Sequence, residues 1–336
     1  MEQIPPAQGF VGLGVEADHA VGAHGAHVDE RLGGQVGRAV PQPRRKVGHA
    51  ERRPVDGVPD VPLGPDSFEA AGGRLAPVPV DEHGLDTRSL PAGRSVRLVY
   101  VTPSHQFPLG GVLPIGRRLD LLKWAQRHDA WVIEDDYDGE FRYGQRPIDA
   151  LQSIDTHGRV IYVGTFSKAL SPHLRLGYLV LPDALVPVFR QAKRLSDRHA
   201  PVLEQRVLAS LIDSGAYERH VRRMRREYER RRAALLDAIA QWLPAGARVA
   251  GTAAGLHVLL WLPSLSAQDE PALVAAANES GVGVYPVSHL YSEALCAATT
   301  RTAGLILGYA SLTVDEIRLG IAALAKVIER FERTGR

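Results

Sequence analysis

Cysteine is almost absent: Cys296 stands alone in 336 residues, which excludes an internal disulfide and a thiolate-rich metal site and fits a reducing compartment. Net charge is small, since 40 basic against 38 acidic side chains leave a formal +2, too little to draw the whole chain to nucleic acid or a membrane. No apolar run approaches the roughly 18–20 residues that span a bilayer, and the first residues lack the basic-then-apolar order of a signal peptide. A cytoplasmic location is therefore expected. Aromatic residues are missing from the first 66 positions except for Phe10, and that stretch holds 11 of the 33 glycines and 8 of the 23 prolines. Without a helical or alternating apolar pattern it cannot bury enough surface to offset the cost of ordering its backbone, so disorder is expected there. His19, His24, His27 and His49 lie in the same stretch among glycines, with no cysteine and no helix to align them, so no metal site is expected.

From Phe68 onward the pattern becomes orderly. With 45% hydrophobic and 23% charged residues the chain sits near the average for globular proteins, and its length allows one large domain with a smaller one attached. Runs of β-forming residues over 98–102, 131–134, 159–164 and 177–181 predict strands, and 117–127 predicts a helix between the first two. Such alternation implies an α/β fold, a mostly parallel sheet covered by helices, with ligand chemistry at the carboxyl ends of the strands. A long helical stretch over 201–243, broken near 214–215, follows. Strands near 255–262, 282–285 and 305–309, with helices near 270–280 and 314–333, predict a second, α+β lobe.

Two strand ends carry the chemistry. In VIYVGTFSKALSPHLRLGY (160–178) a buried strand ends in Thr165, Phe166, Ser167 and Lys168, with Arg175 seven residues later. A lysine there can form an imine with an aldehyde when desolvation favours its neutral amine. The hydroxyls of Thr165 and Ser167 and the guanidinium of Arg175 are the donors that a phosphate needs. Lysine and phosphate cup together point to pyridoxal 5'-phosphate (PLP). In WVIEDDYDGEF (131–141) the preceding strand ends in Glu134, Asp135, Asp136, Tyr137 and Asp138. A carboxylate buried against the pyridine nitrogen of PLP keeps it protonated and makes the ring an electron sink, and Asp135 is the candidate. Tyr137, two residues on, points to the same side and can bond the ring's phenolic oxygen. Taken alone, an acidic run after a strand reads as a solvated loop or a divalent-cation site, and a lysine after a strand as a surface residue; their joint occurrence is what is specific.

The stretches VYVTPSHQFPLGG, VIEDDYDGEFRY and VGTFSKALSPHLRLGYLV resemble the aminotransferase-like domain of MocR-type regulators, a branch of the GntR family. The resemblance runs from about Phe68 to LILGYASLTVDEIRLGI near the C-terminus. It implies a fold-type-I PLP-dependent transferase of aminotransferase class I/II and a homodimer with cofactor sites near the subunit interface. It places a Schiff base on Lys168, Asp135 at the pyridine nitrogen, Tyr137 at the phenolic oxygen, and Thr165 and Arg175 on the phosphate. Phe107 stands where many aminotransferases have asparagine before proline, leaving His105 and Gln106 as candidate lining residues. The family's winged helix-turn-helix, its linker and a phosphate-binding Gly-Ser-Gln-Gln-like helix start are not recognisable in residues 1–66. The chain is thus expected to be N-terminally truncated or altered. The expected organisation is a non-family segment over 1–66, the remainder of the PLP-binding large domain over 67–215, and an interdomain helix with the small C-terminal domain over 216–336. Family members commonly receive the ligand carboxylate on a small-lobe arginine; the local match VYPVSHLY offers His289, with Arg301 and Arg318 otherwise reading as surface residues. Expected partners are an amino acid or 2-oxo acid, no membrane, and DNA only if a separate DNA-binding domain is supplied. A transaminase, the effector-sensing part of a regulator, and a non-functional remnant stay open. The eight arginines of 217–232 interleave with Glu218, Glu227 and Glu229, so they read as a solvated helix face rather than a nucleic-acid site.

Overall fold

The computed structural model describes residues 12–16, 65–93, 96–144, 149–198, 201–291 and 302–334. The strands that carry the site are β5 (Val96–Val101), β6 (Trp131–Asp136) and β7 (Val160–Thr165), which pair in parallel. Their registers set Val101 against Glu134 and Asp136 against Gly164, so all three end at one edge of the sheet. Three antiparallel strands complete it: β1 (Gly12–Glu16), β2 (Arg74–Val78) and β8 (Gly177–Val180), in the order β2-β1-β5-β6-β7-β8. β3 (Val80–Asp81) and β4 (Gly84–Leu85) form a short hairpin after β2.

Helix α2 (Ile115–His128), after the short α1 (Pro65–Ala70), connects β5 to β6. Leu121, Leu122, Trp124 and Ala125 share one face by helical spacing and pack with Val99, Val101 and Val132 of the sheet. The helix stops at Asp129, whose left-handed conformation (φ 52°) lets its backbone N–H reach the carbonyls of Ala125 and Gln126.

Beyond β8 come α3 (Val186–Asp197), α4 (Val202–Asp213) and α5 (Ala216–Trp242). The turn at Gly215 (φ 68°) separates the last two. A second, antiparallel sheet has the order β11-β12-β10-β9, with β9 (Arg248–Ala250), β10 (His257–Ser266), β11 (Tyr285–Pro286) and β12 (Thr302–Gly308). It is backed by α5, α6 (Glu270–Glu279) and α7 (Val314–Thr334), whose Ile239, Leu273, Leu324 and Ile328 join Leu260, Leu305 and Leu307 in one apolar core.

The expected α/β plan is observed, with two differences of note. Gly12–Glu16 of the segment expected to be disordered forms β1, and both of its edges are hydrogen-bonded, to β2 and β5. A strand so placed orders through backbone pairing, which needs no apolar periodicity of its own. Helix α3 and strand β9 were not anticipated. Among the described residues no helix is long and apolar enough to cross a membrane.

Candidate functional site

The carboxyl ends of β5, β6 and β7 bring together the residues singled out in the sequence. After β5, the loop Thr102–Gly111 turns back across the sheet edge, held by Arg118 of α2. This arginine is fully buried and gives its N–H groups to the carbonyls of Leu113 (2.8 Å), Asp149 (2.8 Å) and Pro103 (3.0 Å). Thr102 Oγ1 accepts the Phe107 N–H at 3.1 Å, and the Phe107–Pro108 peptide is cis.

The acidic run that ends β6 resolves into four carboxylates, each with partners of its own. Glu134 is fully buried and accepts the backbone N–H groups of Leu151 (2.7 Å) and Gln152 (2.8 Å), a structural clamp on the chain that leads to β7. Asp135, 8% exposed, accepts the hydroxyl of Tyr100 from β5. Burial pushes its carboxyl up to about 6, against the lowering pull of the Tyr100 hydrogen bond and the Lys168 charge. Asp136 accepts the Tyr162 hydroxyl at 2.7 Å, and burial raises its pKa too. Asp138 meets His105 Nδ1 at 2.7 Å. No group of three or more metal-ligating side chains is assembled among the described residues.

Lys168 follows β7 in a tight turn closed by the Leu170 N–H on the Phe166 carbonyl (2.9 Å), and its side chain is half-buried. Its charge is felt by Asp135 and by His257, which links the three electrostatically. Thr165 and Ser167 lie at the same strand end with hydroxyls 3.0 Å apart, and the Ser167 N–H donates to Thr165 Oγ1 at 3.1 Å. β8 pairs Gly177 with Thr165, which returns Arg175 to this edge. Arg175 is exposed and caps the turn Pro172–Leu174 in the left-handed region (φ 49°).

Tyr137 places its hydroxyl 3.0 Å from His105 Nδ1 and 3.2 Å from the His105 carbonyl, and burial raises its pKa well above that of a free phenol. His105 is 1% exposed, its ring tilted at 43° to that of His257 with centroids 5.3 Å apart. His257 is buried, and its pKa is pushed down to about 4 by that burial. His289 is exposed in the turn Ser288–Leu290 that follows β11, and Arg318 is an exposed α7 residue ion-paired to Asp315. Arg301 and Cys296 lie outside the described residues.

Tyr100, His257 and the pairing of Asp138 with His105 had no visible signal in the sequence. Each depends on which strands neighbour one another, and Tyr100 and Asp135 are 35 positions apart.

Residues 65–318 match the family described as aminotransferase class I and II, and the chain belongs to it. It has the family's fold-type-I transferase architecture, and the family normally uses PLP. The chain is 40% identical to the uncharacterized HTH-type transcriptional regulator YdeL of Bacillus subtilis, over 79% of this chain and 56% of that protein. It is 36% identical to the probable rhizopine catabolism regulatory protein MocR of Rhizobium meliloti, over 80% and 53% of the two chains. Among solved structures, kynurenine aminotransferase of Pyrococcus horikoshii superposes with a TM-score of 0.67 at 30% identity, over 75% of this chain and 63% of that one. The chain thus spans about half the length of the curated regulators that it matches.

Proposed function

We propose that this chain binds PLP as a Schiff base on Lys168 and engages the amino groups of amino acids as an aminotransferase-like protein. The observation that supports this most directly is the meeting of Lys168, Asp135 and Tyr137 at the shared carboxyl edge of three parallel strands, where open α/β sheets bind ligands. The donor set fits the group: an amine for the aldehyde, a buried carboxylate for the pyridine nitrogen, a phenol for the phenolic oxygen, and Thr165, Ser167 and Arg175 for the phosphate. When bound, PLP supplies an electron sink for charge developing at a substrate's α-carbon.

The chain's own contribution follows from its electrostatics. A carboxylate raised to about 6 becomes a proton-sharing partner when a pyridine nitrogen displaces solvent beside it, and the Tyr100 hydroxyl fixes its orientation. Thr165 and Ser167, already hydrogen-bonded to one another, present their oxygens from a closed turn, which lowers the entropic cost of ordering them around an anion. His105 holds Asp138 through Nδ1 and lines the site beside Tyr137, and His289 is the candidate for the ligand carboxylate. The large domain is assigned to 67–215 and the interdomain helix with the small domain to 216–336, acting as a homodimer.

A second reading is favoured by the relatives: in a longer regulator the same site would sense an amino acid rather than convert it. Borohydride reduction of the PLP-loaded chain, followed by peptide mapping, tests the shared core. A reduced adduct on Lys168 that is absent from Lys168→Ala is expected; an adduct that survives in the variant sinks the assignment. Conversion of bound PLP to its amine form in a single turnover with an amino acid separates transaminase from sensor.

A further inference from the structure

Asp138 and His105 form an enclosed polar contact of the site, 2% and 1% exposed with Nδ1 and Oδ2 2.7 Å apart. A carboxylate can only accept, so the proton of this bond sits on His105 Nδ1. Tyr137 then cannot give its own proton to that nitrogen. Its hydroxyl donates to the His105 carbonyl at 3.2 Å, and its oxygen, 3.0 Å from Nδ1, shares the imidazole proton with Asp138. One histidine therefore grips the Tyr137 oxygen from both its ring and its backbone.

The imidazole has no room to turn. A methyl group on Gly255 (φ 82°) would overlap both the His105 ring and the Asp138 carboxylate, and one on Gly110 (φ 74°) would lie 3.0 Å from His105 Nε2. The ring of His257 closes a further side. Gly255 is itself pinned: its carbonyl accepts the hydroxyls of Tyr143 (2.9 Å) and Tyr309 (2.6 Å), and its N–H donates to the Phe141 carbonyl at 2.7 Å. The backbone beside β10 thus holds the ring that holds the phenol.

We propose that Asp138 and His105 are positioning residues that fix where the Tyr137 phenol oxygen sits at the strand edge, from which its proton would turn from the His105 carbonyl to the cofactor's phenolic oxygen, with Gly255 seating the second sheet against the pair. This rests on the reading of Tyr137 as a cofactor contact. Asp138 fixes the tautomer, His105 fixes the phenol, and the absence of a side chain at Gly255 lets the second sheet close directly onto the pair.

The test uses the full chain carrying tyrosine labelled with carbon-13 at Cζ, without cofactor, with the Tyr137 resonance assigned by its loss in Tyr137→Phe. His105→Leu and Asp138→Asn are expected to shift that resonance while the other nine of the 10 tyrosines, Tyr100 and Tyr143 included, hold theirs. His105→Asn, which keeps an N–H donor near the Nδ1 position, is expected to restore it. With PLP added, His105→Leu is expected to weaken binding about tenfold and His105→Asn to recover most of the loss. An unmoved Tyr137 resonance in folded His105→Leu overturns the proposal. If that variant does not fold, the volume-conserving Asp138→Asn decides in the same way. Failure of the wild-type chain to form a Lys168 adduct sinks the cofactor reading separately, and the cofactor-free resonance still decides whether the pair positions Tyr137.

Discussion

Asp135 and His257 lie in one electrostatic neighbourhood yet respond to pH in opposite directions. The Asp135 carboxyl is raised from 3.8 to about 6, so between those values the folded chain holds a proton that the unfolded chain has lost. Stability therefore falls as pH rises through this window, and the whole penalty, at most ~3 kcal/mol for about two pKa units, stands above pH 6. Asp135→Asn removes it. We expect the variant to be more stable than wild type in urea at pH 7.5, to match it near pH 4, and to bind PLP more weakly at both. His257 is the reverse case, depressed from 6.5 to about 4, so its contribution is present above pH 6.5 and is lost as pH falls toward 4. His257→Gln, which can keep the 3.3 Å contact to the Pro108 carbonyl, is expected to flatten the acid side of the stability profile between those values. The two contributions oppose one another in the wild type, so the variants decide: variants that each reproduce the wild-type profile from pH 4 to 6.5 would count against both assignments.

Single buried carboxylates also hold elements in place. Glu134 on β6 accepts two backbone N–H groups from the turn before β7, and Glu270 at the start of α6 accepts those of Ser288 (2.8 Å), in the turn after β11, and Gly304 (2.8 Å) of β12. Truncating either leaves two amides buried and unpaired. Glu134→Ala is expected to cost about 2–4 kcal/mol in denaturant unfolding, and Glu134→Gln, which keeps one acceptor oxygen, clearly less. The arginine-rich face of α5 is explained in the same terms. Arg225 donates to the Glu140 carbonyl, Arg231 to that of Ala310 and Arg232 to that of Thr252, while Arg222 and Arg230 pair with glutamates of the same helix. These side chains join α5 to neighbouring segments, and they interleave with acids as the sequence suggested.

Across the whole molecule, the main imbalance is at the β8 end of the large sheet. Among the described strands β8 is an edge, and Tyr178, Leu179 and Val180 are all exposed, as are Val188 and Leu195 on α3 and Leu203 and Val207 on α4. An open strand edge with apolar side chains is an association hazard. The chain studied alone is expected to scatter light increasingly with concentration, and Leu179→Lys to raise the concentration at which it stays monodisperse. An unchanged scattering onset in that variant would place the hazard elsewhere. The Leu179 side chain is exposed on the edge strand and β7 stands between it and Asp135, so Lys168 adduct formation should be unaffected.

The sequence by itself determined the alternation of strand and helix, the strand ends that carry Asp135, Tyr137 and Lys168, and the break between α4 and α5, because local periodicity and turn residues encode each of these within a few positions. It also carried the family resemblance, which the match over 65–318 bears out. Only the tertiary structure decided which carboxylate of the acidic run does what. Glu134 became a clamp, Asp135 the partner of Tyr100, and Asp138 the partner of His105, because these pairings form between strands and loops distant in the chain. The place of β1 between β2 and β5 was settled in the same way, since backbone hydrogen bonds are available to any sequence and leave no mark in the pattern of side chains.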